Sequence, residues 1–181
     1  KQEVSMKAAI VMDSDSDLEI MKETYDTLKK FGVDSYVSIV SAHRTPEKIK
    51  EFLDNAEKQN CEVIIAAAGM AAHLAGVIAS HTIKPVIAVP MPSYPLNGAD
   101  ALLSSVQMPA GIPVATVTIG QPGAKNAAIL AIQILSLKYP ELKNKLKIYK
   151  KELAGSVIEK DRKLKGSGIK QYLKEKNAKK A

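Results

Sequence analysis

The stretch SYVSIVSAHRTPEKIKEFL, residues 35–53, indicates the fold class, because a strand pattern passes directly into a helix pattern within it. Residues 35–40 carry β-branched and aromatic side chains without Gly or Pro, which is typical of a β-strand. Residues 47–53 have apolar side chains at helical spacing. Thr45 is expected to be the helix N-cap, and Pro46 suits the first helical turn. The residues between are therefore predicted to form a turn at the carboxyl end of a strand, where open α/β sheets bind ligands.

His43 and Arg44 lie in this turn. Histidine ordinarily exchanges protons near neutral pH, and the planar fork of arginine suits phosphate or carboxylate. The chain has 26 basic residues, but Arg44 and Arg162 are its two arginines. The use of arginine beside a loop histidine, in a chain that otherwise relies on lysine, indicates that the guanidinium binds an anionic group through two hydrogen bonds. A plain surface His–Arg pair at a helix start remains the alternative at this point.

Strand and helix patterns alternate along most of the chain. Strands are predicted at residues 7–12, 35–40, 62–68, 85–90 and 114–119. Helices are predicted at residues 18–31, 47–60, 70–81, around 102–103 and 124–137. This alternation predicts an α/β fold, a three-layer αβα sandwich of the flavodoxin or Rossmann type with a parallel sheet of five or more strands. Right-handed crossovers bring the turns at residues 13–17, 41–46, 69–73 and 90–98 to one edge, where the site is expected.

Residues 140–181 are predicted to form a C-terminal helical extension to an α/β domain of residues 1–139. Glycines at positions 155, 166 and 168 are expected to break its helix. The extension has an apolar stripe, which is expected to pack on a neighbouring subunit. The stripe consists of Leu142, Leu146, Tyr149 and Leu153.

The formal net charge of +7 comes from the extension. Residues 140–181 carry 14 basic and 5 acidic side chains, whereas residues 1–139 carry 12 and 14. A lysine-rich segment with few aromatics favours a solvated helix over nucleic-acid binding. We expect no membrane segment and no secretory leader, because no apolar run is long enough. The single cysteine, Cys61, fits a reducing compartment, so a cytoplasmic location is expected.

The turn after the first strand offers polar groups to a ligand. Ser14 and Ser16 are placed to hydrogen-bond a phosphate with the help of helix N–H groups. Asp17 is placed to accept from ribose hydroxyls, to cap the helix, or to do both. The three aspartates of residues 13–17 resemble a calcium loop, but the glycine and glutamate of that pattern are missing, so no metal is expected. No glycine-rich dinucleotide or triphosphate motif follows a strand, and no such cofactor is expected.

Gly69 and His73 belong to the turn after the third strand, so both are placed at the same site. The alternative for His73 is a packed or capping histidine.

Five motifs occur in order between residues 7 and 137, and together they resemble the PurE family of purine biosynthesis. They are Ser14-x-Ser16-Asp17, Ser41-Ala42-His43-Arg44-Thr45-Pro46, Ala68-Gly69-x-Ala71-Ala72-His73-Leu74, Gln107-Met108-Pro109-x-Gly111-Ile112-Pro113-Val114 and Asn126-Ala127-Ala128. The Ala-Ala-His-Leu segment resembles the class that rearranges N5-carboxyaminoimidazole ribonucleotide to 4-carboxy-5-aminoimidazole ribonucleotide. The alternative is the class that carboxylates aminoimidazole ribonucleotide directly with carbon dioxide.

The resemblance implies a role for each matched residue. Ser14, Asp17 and Arg44 match positions that hold the ribose phosphate and the ribose, and Ser41 matches another phosphate contact. His43 matches the general acid/base of a decarboxylation and recarboxylation inside a closed pocket. The resemblance implies a small ribonucleotide substrate, neither a metal nor an organic cofactor, and a homo-octamer.

The chain departs from the family pattern at four places. Asp13 stands where glycine is usual, and its carboxylate is expected to repel a phosphate unless it points away. Met70 replaces a usual glycine, Ala75 a usual proline, and the loop of residues 91–97 differs from the common form.

Two further function classes fit parts of the sequence. The segment of residues 13–16 mimics the first motif of aspartyl-nucleophile phosphatases, but the later strands lack the acidic pair that would hold magnesium. A receiver-like signalling module needs an acceptor aspartate after the third strand, where this chain has Ala68 and Gly69.

Overall fold

Five parallel strands form one sheet in a computed structural model that describes residues 6–178. They are β1 (Lys7–Met12), β2 (Asp34–Ile39), β3 (Val63–Ala68), β4 (Val86–Pro90) and β5 (Ala115–Thr116). The order across the sheet is β2-β1-β3-β4-β5, so the strand order reverses between β1 and β3. Strands β3 and β4 are buried along their whole length, as their uninterrupted apolar runs predict.

Helices cover both faces of this sheet. They are α1 (Leu18–Phe31), α2 (Lys48–Lys58), α3 (Leu74–Ser80), α4 (Ala99–Val106) and α5 (Gly120–Leu135), with a 3-10 turn at Asp15–Asp17. Phe52 of α2 and Ile78 of α3 share one apolar cluster with Ile64 of β3. Helices α1 and α5 pack together, and the Thr24 hydroxyl donates to the Ala124 carbonyl at 2.8 Å. The predicted three-layer α/β fold with a parallel sheet is therefore confirmed.

Two predicted helix starts were wrong for identifiable reasons. Helix α3 begins at Leu74 rather than residue 70, because Met70 and Ala72 have φ of 55° and 43°, outside the helical region. Helix α2 begins at Lys48, because the Thr45 hydroxyl bonds Ser41 and caps no helix.

Strand β5 is shorter than predicted. It spans Ala115–Thr116, whereas the apolar pattern predicted residues 114–119. The neighbouring strand β4 ends in Pro90, which has no N–H group to continue the ladder. Beyond this point the chain turns and enters α5 at Gly120, earlier than the predicted residue 124.

Residues 140–178 form a unit distinct from residues 6–139. Its helix α6 (Pro140–Ala178) continues through Gly155 and Gly166, where breaks were predicted. The cost of about 1 kcal/mol for each glycine within a helix is outweighed by the helix propensity of the flanking residues. Within the described part of α6, the backbone leaves helical geometry at Gly168, with φ 72° and ψ 161°. No helix within residues 6–178 is long and apolar enough to cross a bilayer.

An ion-pair cluster lies at the amino end of β3, on the sheet edge opposite the predicted site. The Glu62 carboxylate accepts from the Lys138 ammonium at 2.7 Å and from the Tyr139 hydroxyl. Burial raises the pKa of Glu62, but these two hydrogen bonds outweigh burial and leave that pKa below its ordinary value. The cluster ties the end of α5 to the sheet.

Candidate active site

The loops that follow β1, β2, β3 and β4 enclose a cavity of about 530 Å³. This position at the reversal of strand order is where sheets of this topology bind ligands. The lining consists of Asp13, Ser14, Ser16, Asp17, Ile20, Ser41, His43, Arg44, Gly69, Met70, Met91, Pro92 and Ser93. The structure thus brings together all the predicted site residues except His73 as lining residues.

The loop after β2 is braced by its own side chains. The Thr45 hydroxyl accepts from the Ser41 N–H at 3.1 Å and donates to the Ser41 carbonyl at 3.2 Å. The buried Ser41 hydroxyl oxygen accepts from the Arg44 main-chain N–H and from its Nε, each at 3.3 Å. This bracing gives the guanidinium a defined direction before any ligand arrives, which lowers the entropy cost of binding.

Arg44 is also tied to the end of β1. Its Nη2 donates to the Asp13 main-chain carbonyl at 3.1 Å and lies 3.8 Å from the Asp13 carboxylate. The arginine side chain is still 70% exposed. A guanidinium held along one edge and open on the other can bind an anion in the cavity.

The turn after β1 is closed by the two serines that were predicted to meet a phosphate. The Ser14 hydroxyl oxygen accepts from the Ser16 N–H at 3.3 Å and caps the 3-10 turn. The Ser14 hydroxyl donates to Asp15 at 3.2 Å, and the Ser16 hydroxyl donates to Asp17 at 3.4 Å. Each hydroxyl can rotate away from its neighbouring aspartate and donate to a ligand instead.

Asp17 is the most deeply placed carboxylate of the cavity, with 9% of its surface exposed. Burial raises the pKa of Asp17 to about 6, the Ser16 hydrogen bond lowers it, and the charge of Asp13 raises it. Asp17 occupies the N-cap position of α1, but its side chain makes no capping hydrogen bond there, so the predicted side-chain cap is wrong. A carboxylate in this environment can accept from hydroxyl groups of a ligand.

His43 and His73 contact each other across 30 residues of sequence. Nε2 of His43 lies 2.6 Å from Nδ1 of His73, and the two rings meet edge to face at 69° with centroids 4.8 Å apart. One of the two nitrogens must carry the proton and the other must accept it. His73 does not cap α3 with its side chain, so its capping alternative is wrong. The pair can orient the His43 ring and pass a proton.

The loops after β3 and β4 supply residues that sequence reasoning did not assign to the site. The Met70 N–H donates to the Ser93 hydroxyl at 3.1 Å. Gly69 lies against the same residue, since a Cβ at position 69 would be 3.3 Å from the Ser93 hydroxyl. Met91 and Pro92 complete this wall. The sequence feature that could have identified Met91, Pro92 and Ser93 is their position directly after a predicted strand.

Two further features carry no comparable chemistry. A concavity of about 450 Å³ along α1 and the edge of the sheet is almost wholly apolar. Burial raises the pKa of the Cys61 thiol to about 11, which disfavours the reactive thiolate. Across residues 6–178, no three His, Cys, Asp or Glu side chains come together in a group that could hold a metal ion.

Comparison with known proteins gives consistent matches over most of the chain. A family model described as AIR carboxylase matches residues 7–156. N5-carboxyaminoimidazole ribonucleotide mutase of Pyrococcus horikoshii is 54% identical over 177 residues, which cover 95% of this chain and 99% of the relative. The Thermotoga maritima protein of the same name is 52% identical over 170 residues, with 94% and 98% covered. The crystal structure of Treponema denticola PurE matches with a TM-score of 0.80 at 36% identity, covering 88% of this chain and 98% of that one.

Proposed function

Because the chain belongs to the AIR carboxylase family, the PurE family, we propose that it catalyses the N5-carboxyaminoimidazole ribonucleotide mutase reaction of purine biosynthesis. The observation that carries this conclusion is 54% and 52% identity to two mutases, over 94% or more of this chain and 98% or more of each relative. The enzyme is an isomerase. The direct carboxylase alternative is not favoured, since these relatives are named as mutases.

The phosphate end of the substrate is assigned to the two loops that carry hydroxyl and guanidinium groups. Arg44 supplies charge and a planar fork, while Ser14, Ser16 and Ser41 supply hydroxyl donors. The support is the arrangement of these groups along one wall of the cavity at the carboxyl edge of the sheet. Binding energy gathered at the phosphate holds the distant ring in place during the reaction.

Asp17 is assigned to the ribose hydroxyls. Its carboxylate is buried, lines the cavity and accepts from the Ser16 hydroxyl. Ribose hydroxyl donors would stabilise the ionised form, as hydrogen bonds to a carboxylate do. Substrate binding is therefore expected to release a proton from the Asp17 carboxyl near pH 6, which is about the pKa of this group in the protein alone.

His43 is assigned the proton transfer. In the rearrangement the N–C bond to the carboxylate breaks, carbon dioxide is released, and the amine nitrogen takes up a proton. The ring carbon then bonds to the carbon dioxide and loses its own proton, which restores the aromatic ring. One proton arrives and one leaves, so a single acid/base balances the reaction.

His73 and Gly69 are assigned supporting roles. His73 holds Nε2 of His43 at 2.6 Å and so fixes the ring and its tautomer. Gly69 leaves space for the ring end of the substrate beside the Met91–Ser93 wall. Carbon dioxide kept next to the nucleophilic carbon reacts as an intramolecular group, which is the entropic advantage of a closed site.

A homo-octamer and a cytoplasmic location complete the proposal. The α6 helix exposes apolar side chains such as Ile148, Leu153, Val157 and Ile158, which supports self-association. The domain assignment of residues 1–139 as the catalytic part and residues 140–181 as an extension that packs on another subunit also stays a proposal. Purine biosynthesis and the single cysteine support the location.

Isotope transfer tests the function. The substrate is labelled in its N-carboxylate and incubated with the enzyme in unlabelled bicarbonate. A mutase transfers the label to the ring carbon undiluted, because the carbon dioxide never leaves the site. Dilution of the label to the level of the bicarbonate pool would instead identify a direct carboxylase.

A further inference from the structure

The carboxylate of Asp13 lies among the hydrogen-bond donors of the loop after β2. Its Oδ1 accepts from the Ala42 N–H at 2.9 Å, and its Oδ2 accepts from the Ser41 hydroxyl at 3.3 Å. The same Oδ2 lies 3.8 Å from Nη2 of Arg44. One carboxylate therefore engages a main-chain N–H, a hydroxyl and a guanidinium, which is the donor set that a bound oxyanion uses.

The position of this carboxylate is fixed by the backbone on either side. The Asp13 N–H donates to the Ala67 carbonyl of β3 at 3.0 Å, and the Asp13 carbonyl accepts from Arg44 at 3.1 Å. The side chain is 26% exposed and lines the cavity. The Asp13 carboxylate thus points toward the anion donors, so it is placed to disturb a phosphate bound there.

Two effects on a phosphate follow from this placement. The Ser41 hydroxyl has one proton to donate, so a phosphate that takes this hydrogen bond must first displace Asp13. A carboxylate and a dianionic phosphate at the same donors also repel each other. Both effects act on binding of the phosphate group, and neither touches the ring where bonds change.

Resting on the proposed function, in which a ribose phosphate binds at this loop, we propose that Asp13 is a specificity-determining residue whose carboxylate competes with the substrate phosphate for the donors of Ser41, Ala42 and Arg44. It orders the loop after β2 and weakens the affinity for phosphate monoesters. Its removal therefore strengthens phosphate binding, because the competition is for the phosphate donors.

The test is titration calorimetry of the full-length protein with inorganic phosphate and with ribose 5-phosphate. Asp13→Asn keeps an oxygen for the Ala42 N–H but removes the charge, so Kd for both probes should fall about tenfold at low salt. The gain should shrink at about 0.5 M salt, where screening is strong. Asp15→Asn is the matched control, since it removes one exposed charge from the same turn without freeing the Ser41 and Ala42 donors.

A smaller change for Asp15→Asn than for Asp13→Asn supports the proposal. The proposal is overturned if the two variants change the phosphate Kd equally. It is also overturned if Asp13→Asn binds phosphate no more tightly than the unchanged protein, or if neither protein binds phosphate. Asp13→Ser is the second neutral variant, should the asparagine variant fail to fold. Adding Ser41→Ala to Asp13→Asn should remove most of the gain. These binding readouts do not depend on turnover, so failure of the mutase assay remains a separate result.

Discussion

Replacing Asp17 by asparagine should change how the stability of the protein depends on pH. Burial raises the pKa of Asp17 from 3.8 to about 6 in the folded protein. Between about pH 4 and pH 6 the folded state therefore holds a proton that the unfolded state has lost. The free energy of unfolding of the unchanged protein must then fall as the pH rises through this window, and the cost is fully present above pH 6.

The size of the step follows from the shift. A shift from 3.8 to about 6 corresponds to at most about 3 kcal/mol at the usual conversion. Partial solvation of the carboxylate reduces this, and we expect about 1–2 kcal/mol. Asparagine has the same shape and no charge, so Asp17→Asn should gain this amount relative to the unchanged protein between pH 4 and pH 7.

Urea unfolding at fixed protein concentration, repeated from pH 4 to pH 8, measures the difference between the two proteins. Asp15→Asn, which removes an exposed carboxylate of the same turn, serves as the control and should show no step of this size. A stability difference that is flat across the window, or that runs in the opposite direction, would refute the assignment of Asp17 as a desolvated carboxylate.

Three further substitutions test the packing and the site. Gly123→Ala should destabilise the folded protein by about 3 kcal/mol or more in thermal unfolding, because a Cβ there would lie 1.7 Å from a backbone carbonyl oxygen. Gly155→Ala is the control and should not destabilise the protein, because no atom lies within 4 Å of the Cβ it would add. Glu62→Gln should cost about 1 kcal/mol at neutral pH and less in acid, because the pKa of Glu62 lies below its ordinary value; equal losses at all pH values would contradict this. His73→Asn should lower kcat about tenfold with KM unchanged if it positions His43, and a change confined to KM would count against that role.

The layout of the fold was accessible from sequence because it depends on local patterns. The bounds of β1 and α1 match the predicted residues, since an apolar run and an amphipathic stripe mark them. Gly32 closes α1 in the left-handed conformation with φ 78°, as a glycine after a helix predicts. The convergence of the loops at one edge followed from parallel strands alone.

Contacts that depend on tertiary structure were not accessible. Nothing in the local pattern shows that Met70 takes φ 55°, because a methionine carries no signal for the left-handed region. The contact between His43 and His73 joins two loops 30 residues apart, and its 2.6 Å distance depends on how these loops pack. The direction of the Asp13 carboxylate was left open for the same reason, since it is decided by donors on a neighbouring strand's loop.

In the proposed mechanism, His43 moves the proton of the carboxylate transfer while other groups hold the nucleotide. Its most direct test is His43→Asn, assayed for turnover of N5-carboxyaminoimidazole ribonucleotide and, by calorimetry, for binding of the product nucleotide. We expect turnover to fall by about 10²- to 10⁴-fold, as for loss of a general acid/base, with the product Kd changed by less than about threefold. Turnover within tenfold of the unchanged enzyme, or a loss of binding that accounts for the whole effect, would contradict the account.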